Sequence, residues 1–345
     1  MFYLSHLMIQ PTKQPSLKYS NSEVISTAES YRKCRKIAKR SGSNFSRSFW
    51  LLPLQKRASM FALYSFARTT DDLGDSHDPM RIRTQRLEWW REATRINVPT
   101  LAANPPSAVE FPTVSPSMEG IITDGLDLRH RAEVIFPSLR DTVARFKIPP
   151  HYFLEIIDGV MADQQKTRFD TYEQLEHYCY LVASAVGLAC LHVWQFDGDL
   201  PLQAAIDCGI AFQLTNILRD IVEDSKRGRI YLPRQHFERH GLGEDDLLFP
   251  RKDDRLCCLI LDEASRAEAL YQSGWKVWEK LHPDGRRMFS MMWRTYRELL
   301  SQIQQDPMRV VTRRVTVPIT RQANLAIHHF IPRLFAKLPV PPSEN

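Results

Sequence analysis

Apolar positions recur along this chain at steps of three and four residues rather than in alternation, the period of one face of an α-helix. The clearest stripe is Ile206, Ile210, Leu214, Ile217 and Ile221, which predicts a core-facing helix over 206–222. From Arg57 to Asp72 the strong helix formers Ala, Met, Leu and Arg dominate, and nothing breaks the run before Gly74. The same periodicity predicts helices over 24–40, 80–95, 131–146, 150–165, 171–194, 255–280 and 285–304. Pro53, Pro149, Pro150, Pro233 and Pro283 fall where those helices start or stop. No segment alternates convincingly as a strand and no internal repeat is visible, so the pattern predicts an all-α chain.

One stretch departs from the helical period. Between Val98 and Met118, Pro99, Pro105, Pro106, Pro112 and Pro116 stand among Ala, Ser, Thr and Val, which predicts an extended, mobile surface insertion. The chain therefore divides into a variable tail over 1–22, a helical body over 23–315 with its proline-rich insertion at 98–118, and an extension over 316–345. At 345 residues it is long enough for a large core, as one domain or two.

Composition narrows the class. A hydrophobic share of 43% with 25% charged residues is ordinary for a globular protein. The net charge of +6 is a mild bias towards an anionic substrate or the anionic face of a membrane, with much of it simply solvated surface. No nucleic-acid role is expected, because the basic cluster from Arg32 to Arg40 carries no interleaved aromatic residues for base stacking. Cys34, Cys179, Cys190, Cys208, Cys257 and Cys258 show neither Cys-x-x-Cys spacing nor a nearby His pattern, so they read as buried or incidental thiols of a reducing compartment. The N-terminal stretch has no basic region or cleavage signal, and no uninterrupted apolar run approaches the roughly 18 residues of a membrane span. A cytoplasmic protein is expected. The mixed basic and apolar stretch from Arg309 to Phe335 is either a final packed helix or a peripheral contact with the inner membrane face.

The candidate chemistry lies in two acidic runs about 150 residues apart. Asp71 and Asp75 in the first, and Asp220 and Asp224 in the second, are each spaced one helical turn, so like charges stand side by side. That arrangement costs stability unless a cation sits between them. At about 100° per residue, Tyr64, Arg68, Asp71 and Asp75 share a stripe of roughly 60°, and Gln213, Asn216, Asp220 and Asp224 one of about 80°. A solvated surface helix has no need to align amide and carboxylates over three turns. A magnesium–polyphosphate site has, since Mg²⁺ takes oxygen ligands, commonly one or two carboxylates completed by water and substrate phosphate. One such Asp pair is expected by chance. Here both pairs in the chain fall in helical stretches with polar partners on the same face.

These residues and their flanks resemble the squalene/phytoene synthase family, enzymes that join two prenyl diphosphates head to head. The matching stretches are Ser43–Pro53 (SNFSRSFWLLP), Ala62–Asp75 (ALYSFARTTDDLGD), Ile157–Asp163 (IDGVMAD), Tyr178–Gly187 (YCYLVASAVG), Gly209–Asp224 (GIAFQLTNILRDIVED) and Arg227–Pro233 (RGRIYLP). The resemblance spans roughly residues 30 to 315. It implies an all-α, single-domain helical bundle around a central cavity, a transferase of the isoprenoid pathways that lead to carotenoids or hopanoids.

Residue by residue, the resemblance implies that Asp71, Asp75, Asp220 and Asp224, with Asn216, hold Mg²⁺, with Mn²⁺ as an alternative. Gln213 lines the same wall. Tyr64 and Arg68 stand beside the first acidic pair, and Arg68 pairs with a departing diphosphate. Ser46, Ser48 and Phe49 match a run that helps bind diphosphate. Tyr178, Val182, Ala183, Val186 and Gly187 form part of a prenyl channel. Arg219 and Arg227 are further anion contacts, and Tyr296 and Arg309 match late positions more weakly.

The residue types fit the chemistry. An allylic diphosphate ionises when cations neutralise its leaving charge, and the carbocation survives only in a dry apolar cavity. Two departures stand out. Asn44-Phe45 and Leu51-Leu52-Pro53 resemble the hopanoid-pathway branch, with Asn44 and Arg47 as alternative donors, and Gln164 stands where Leu is usual. Those pieces favour farnesyl over geranylgeranyl diphosphate as substrate, giving presqualene-type rather than prephytoene-type products. NADPH is expected only if squalene is the end product. The rival readings are a class I terpene cyclase, a head-to-tail prenyltransferase and a non-catalytic assembly-type relative. The flanks of both motifs and the survival of all four carboxylates disfavour them. Oligomeric state is not legible.

Overall fold

The computed structural model describes residues 25–41, 44–98, 108–123, 127–165 and 168–316. Among them the chain is helical, with one isolated bridge between Phe196 and Leu281 and no strand. The expected tails, apart from residue 316, and residues 99–107 of the insertion lie outside this set. Contacts divide the chain into two compact units, one ending at Met161 and the other beginning at Ala162.

In the first unit, Thr27–Arg40 packs on Leu54–Gly74 and on Leu128–Phe146, and Met80–Asn97 lies against the latter two. Ser26 opens the first of these helices by accepting a hydrogen bond from the Glu29 N–H, satisfying one donor of the first turn. The core is aromatic. Trp90 stacks between Phe66 at 5.7 Å and Phe136 at 5.0 Å, and Phe153 meets Phe66 edge-on. The buried indole N–H of Trp90 donates to Thr70 Oγ1 at 3.0 Å, so its polar edge is satisfied.

Pro137 sits inside the Leu128–Phe146 helix, where a proline removes one N–H and crowds the preceding turn. The repair comes from another helix. The Ser138 N–H donates to Ser30 Oγ at 3.0 Å, and Ser30 Oγ donates to the Val134 carbonyl at 2.5 Å. One hydroxyl thus bridges a gap in the helical ladder and ties the two elements together.

The proline-rich stretch differs from expectation in its second half. The Asn97 amide donates to the Glu110 carbonyl at 2.7 Å and accepts from the Glu110 N–H at 3.0 Å. Phe111 stacks on Trp89, and Arg140 donates to the Ala108 carbonyl. Pro116 then opens a helix through Thr123. Residues 108–118 are therefore pinned to the body rather than mobile, because one buried asparagine supplies the pairing that prolines cannot.

In the second unit, Leu202–Arg219 lies along Asp254–Gly274. Gly274 permits the approach, since a Cβ there would meet Cys208 Cβ at 2.7 Å. Gly209 does the same on the other side, where a Cβ would stand 2.5 Å from Ser184 Cα. Ser184 ends a π-helical stretch, Tyr180–Ser184, set between Tyr172–Cys179 and Ala185–Trp194. The three together are long and apolar enough to cross a membrane, but most of this run is buried inside the fold. It is a core helix, its period interrupted where the sequence implied one continuous element. Cys34, Cys179, Cys190 and Cys208 are buried and free, as expected for incidental thiols, while Cys257 and Cys258 lie nearer the surface.

Candidate active site

In the first unit, the Leu54–Gly74 helix carries Tyr64, Arg68, Asp71 and Asp72, and Asp75 caps its C-terminus through an N–H bond to the Asp71 carbonyl. Asp71 and Asp72 behave differently. Arg68 Nε meets Asp72 Oδ1 at 2.8 Å, and Arg131 approaches Asp72 Oδ2 at 3.6 Å. Asp71 Oδ1 is shut away from solvent with no hydrogen-bond partner. Burial, reinforced by Asp75 and Asp72, pushes the Asp71 carboxyl well above the ordinary carboxylate range. Asp75 is exposed. A cation is what such a carboxylate lacks. Arg68 stands near Asp71, as expected, but its ion pair is with Asp72.

The early loop packs against the same helix. Phe49 is fully buried against Phe61 at 5.4 Å and Tyr64 at 6.1 Å. Tyr64 donates to Ser41 Oγ at 2.8 Å. Ser46 Oγ donates to the Ala38 carbonyl and Ser48 Oγ to the Phe45 carbonyl. Each serine hydroxyl has one proton to give, and both are spent on backbone. An anion would have to exchange with those bonds.

In the second unit, Gln213, Asn216, Arg219, Asp220 and Asp224 are all buried. Asp220 ends Leu202–Arg219 and starts Ile221–Lys226, yet the i to i−4 bonds run on through it: Asp220 N–H to Asn216 O, then Asp224 N–H to Asp220 O, both at 2.9 Å. The one-turn spacing of the three polar residues therefore survives the break. Asn216 donates to Gln213 Oε1 at 3.4 Å, and the ring of Tyr296 lies 4.7 Å from that of Phe212. The carbonyl oxygen Asn216 Oδ1 is buried and unpartnered.

Asp220 is gripped by two guanidiniums. Arg219 Nε donates to Oδ1 at 2.8 Å and its Nη2 to Oδ2, while Arg314 Nε reaches Oδ1 at 2.9 Å and its Nη2 reaches Oδ2 at 3.2 Å. Both forks are bidentate. The carboxyl of Asp224 is raised to about 7, by burial first and then by Asp220, against the opposing pull of Arg229. Asp163 Oδ1 accepts from Tyr178 at 2.9 Å and Tyr231 at 2.6 Å, and its Oδ2 pairs with Arg229 at 2.9 Å. Tyr178 and Tyr231 stack at 5.4 Å, so one carboxylate orders two phenols.

Val182, Ala183 and Val186 are buried in and after the π-helical stretch. A Cβ placed on Gly187 would meet nothing within 4 Å, so that position faces open space.

Three residues that sequence reasoning passed over complete the second cluster: Arg314 on Asp220, and Tyr231 and Arg229 on Asp163. The signal was thin. Arg314 is one of several basic residues in a mixed stretch, and Arg229 stands two positions from the expected Arg227. Here Arg227 is exposed and Arg229 is the inward one. Arg309 lies on a short helix with its Nε buried and unpartnered among the described residues.

Among the described residues, no three His, Cys, Asp or Glu side chains converge as a preformed metal centre. In each unit, taken by itself, the oxygen donors still fit a hard divalent cation that keeps water and substrate oxygens. Asp71 Oδ1 and Asn216 Oδ1 are oxygen donors without partners, and Asp224 is a crowded, buried carboxylate.

Known proteins of one family resemble the chain in sequence and in fold. The family model for squalene/phytoene synthase matches residues 38–321. A phytoene synthase of Arthrospira platensis is 31% identical over 324 residues, covering 90% of this chain and 94% of the relative. A 15-cis-phytoene synthase of Synechocystis sp. is 31% identical over 329 residues, covering 92% and 88%. Among solved structures, a dehydrosqualene synthase superposes with a TM-score of 0.70 at 25% identity, covering 88% of this chain and 96% of its own. The squalene synthase HpnC from Alicyclobacillus acidocaldarius superposes with a TM-score of 0.67 at 26% identity, covering 81% and 94%. This chain belongs to the squalene/phytoene synthase family, prenyltransferases that condense prenyl diphosphates head to head.

Proposed function

We propose that this protein condenses two molecules of farnesyl diphosphate, in a reaction dependent on Mg²⁺, to a cyclopropyl diphosphate of presqualene type and onward to a C30 product. The observation that carries this is the buried polar stripe Asn216–Asp220–Asp224 with two arginines already seated on its middle carboxylate. A site that only binds cations has no use for guanidiniums. One that binds a cation and a diphosphate together needs both signs in contact.

When bound, the divalent cation supplies the positive charge that lets diphosphate leave. In the first unit Asp71 and Asp75 would hold such a cation, and in the second Asn216 and Asp224, joined by Asp220 once an arginine gives way. Arg219 and Arg314, released from Asp220, are forked donors for diphosphate oxygens, and Arg68 plays the same part from Asp72. Tyr178 and Tyr231 are oriented by Asp163 and give their protons to it, which leaves their oxygen lone pairs and ring faces for a developing cation. The buried Val182, Ala183 and Val186 exclude water.

The choice of farnesyl rests on the Asn44-Phe45 and Leu51–Pro53 pieces of the early loop. A second reading, geranylgeranyl diphosphate giving a phytoene-type C40 product, draws on the names of the cyanobacterial relatives. Mass spectrometry of products from each diphosphate offered separately, with and without NADPH, tests both. A C30 product from farnesyl diphosphate supports the first reading, and a C40 product from geranylgeranyl diphosphate alone replaces it. A product with the carbon count of one substrate would overturn head-to-head condensation.

A further inference from the structure

The first unit carries a charged and apolar surface that the proposed chemistry does not use. On Thr27–Arg40, Ser30, Cys34 and Ala38 face the core, while Arg32, Arg35, Lys36 and Lys39 form an exposed stripe at helical spacing. Glu29 is the one acid of that helix, and it pairs with Lys33. The indole of Trp50 is set against the stripe, 48% exposed. Arg57 lies 4.2 Å from its ring centroid, Arg35 5.3 Å and Lys39 5.9 Å. Leu54, four positions along the chain, is 78% exposed. Among the described residues, no salt bridge engages Arg35, Lys39 or Arg57.

This surface is separate from the acidic cluster. Arg57 and Asp71 lie on one helix, and 14 residues at about 1.5 Å each set them about 20 Å apart along it.

We propose that Trp50, Leu54 and the Arg32–Arg35–Lys36–Lys39 stripe dock the protein on an anionic lipid bilayer. Tryptophan and leucine enter the headgroup region, and cations ringed around them meet lipid phosphates. Single-stranded nucleic acid fits less well. The ring face a base would stack on is covered by Arg57, and Leu54 offers nothing to a base. Residues 1–24 are poor cover as well, since they hold Lys13 and Lys18 against a single acid, Glu23.

Flotation of the full chain with vesicles tests this without substrate, so its outcome is independent of the reaction. The protein should float with phosphatidylcholine vesicles containing phosphatidylglycerol, stay behind with phosphatidylcholine alone, and be released by salt. Trp50→Ala with Leu54→Ser should weaken partition at least tenfold, and Arg35→Gln or Lys39→Gln each by roughly fivefold, with circular dichroism unchanged. Equal binding to both vesicle types, undiminished binding by the Trp50/Leu54 variant, or binding that starts only after removal of residues 1–24 would overturn the proposal. So would a single-stranded oligonucleotide held through the same residues in place of the vesicles.

Discussion

At the residue scale, burial sets each carboxylate apart from its neighbours. Asp71, Asp72 and Asp75 stand within five positions, yet Asp72 is neutralised by Arg68, Asp75 is exposed and half-buried Asp71 has one oxygen shut from solvent without a partner. Asp71→Ala should therefore abolish turnover in a product assay while leaving helix content unchanged by circular dichroism. Asp224 gives a pH test. Its carboxyl is raised from the ordinary value of 3.8 to about 7, so between those pH values the folded chain holds a proton that the unfolded chain has released. Stability contributed by that proton is present at low pH and is lost as pH rises through 7. In buffer with EDTA, Asp224→Asn should match the parent at pH 4 and exceed it at pH 8 by roughly 4 kcal/mol, read by urea denaturation. A variant less stable than the parent at pH 8 would show that the carboxylate is satisfied rather than crowded. The two aspartate pairs, Asp71 with Asp75 and Asp220 with Asp224, could be picked out from spacing alone. Which arginine meets which carboxylate could not, because Arg314 reaches Asp220 across 94 positions and Arg131 reaches Asp72 across 59, and no local period encodes such pairs.

At the element scale, the helices follow apolar periodicity closely and their interruptions do not. The expected spans 80–95, 150–165 and 285–304 correspond to Met80–Asn97, His151–Gln165 and Pro283–Gln305. The spans 171–194 and 206–222 also form, but one contains the π-helical stretch Tyr180–Ser184 and the other breaks at Asp220. An amphipathic stripe reports which face is buried. It is silent about a local change in the hydrogen-bond ladder, which tertiary partners decide. Pro137 illustrates this, since Ser30 completes the ladder of its helix from a different element. Ser30→Ala should leave the Ser138 N–H and the Val134 carbonyl buried and unpaired, at a cost of about 1–3 kcal/mol in urea denaturation. Ser30→Thr keeps the hydroxyl, and its smaller loss would separate the missing bond from altered packing. The same logic explains why the proline-rich stretch misled: composition weighed its prolines, whereas Asn97, outside it, decides where Glu110 lies.

At the scale of the whole molecule, substrate length is set by the space the helices leave, a quantity no motif encodes. The sequence pointed to small residues in Tyr178–Gly187, and the structure distinguishes among them. Val182 and Ala183 are buried, whereas Gly187 opens onto space free of neighbours within 4 Å. Farnesyl and geranylgeranyl diphosphates differ by one isoprene unit, and the isobutyl group of a leucine is close to that unit in size. Gly187→Leu should therefore depress use of the longer diphosphate at least tenfold relative to the shorter. The fold should tolerate it, because a Cβ there meets no neighbour within 4 Å and leucine favours a helix over glycine by about 0.8 kcal/mol. Competition between the two diphosphates in one reaction, with products resolved by mass, gives the ratio directly. Thermal denaturation checks that the midpoint has not fallen. An unchanged ratio in a folded variant would mean that the space beside Gly187 receives no prenyl chain, and the length limit would then lie with the buried residues of the preceding turn, Val182 and Ala183.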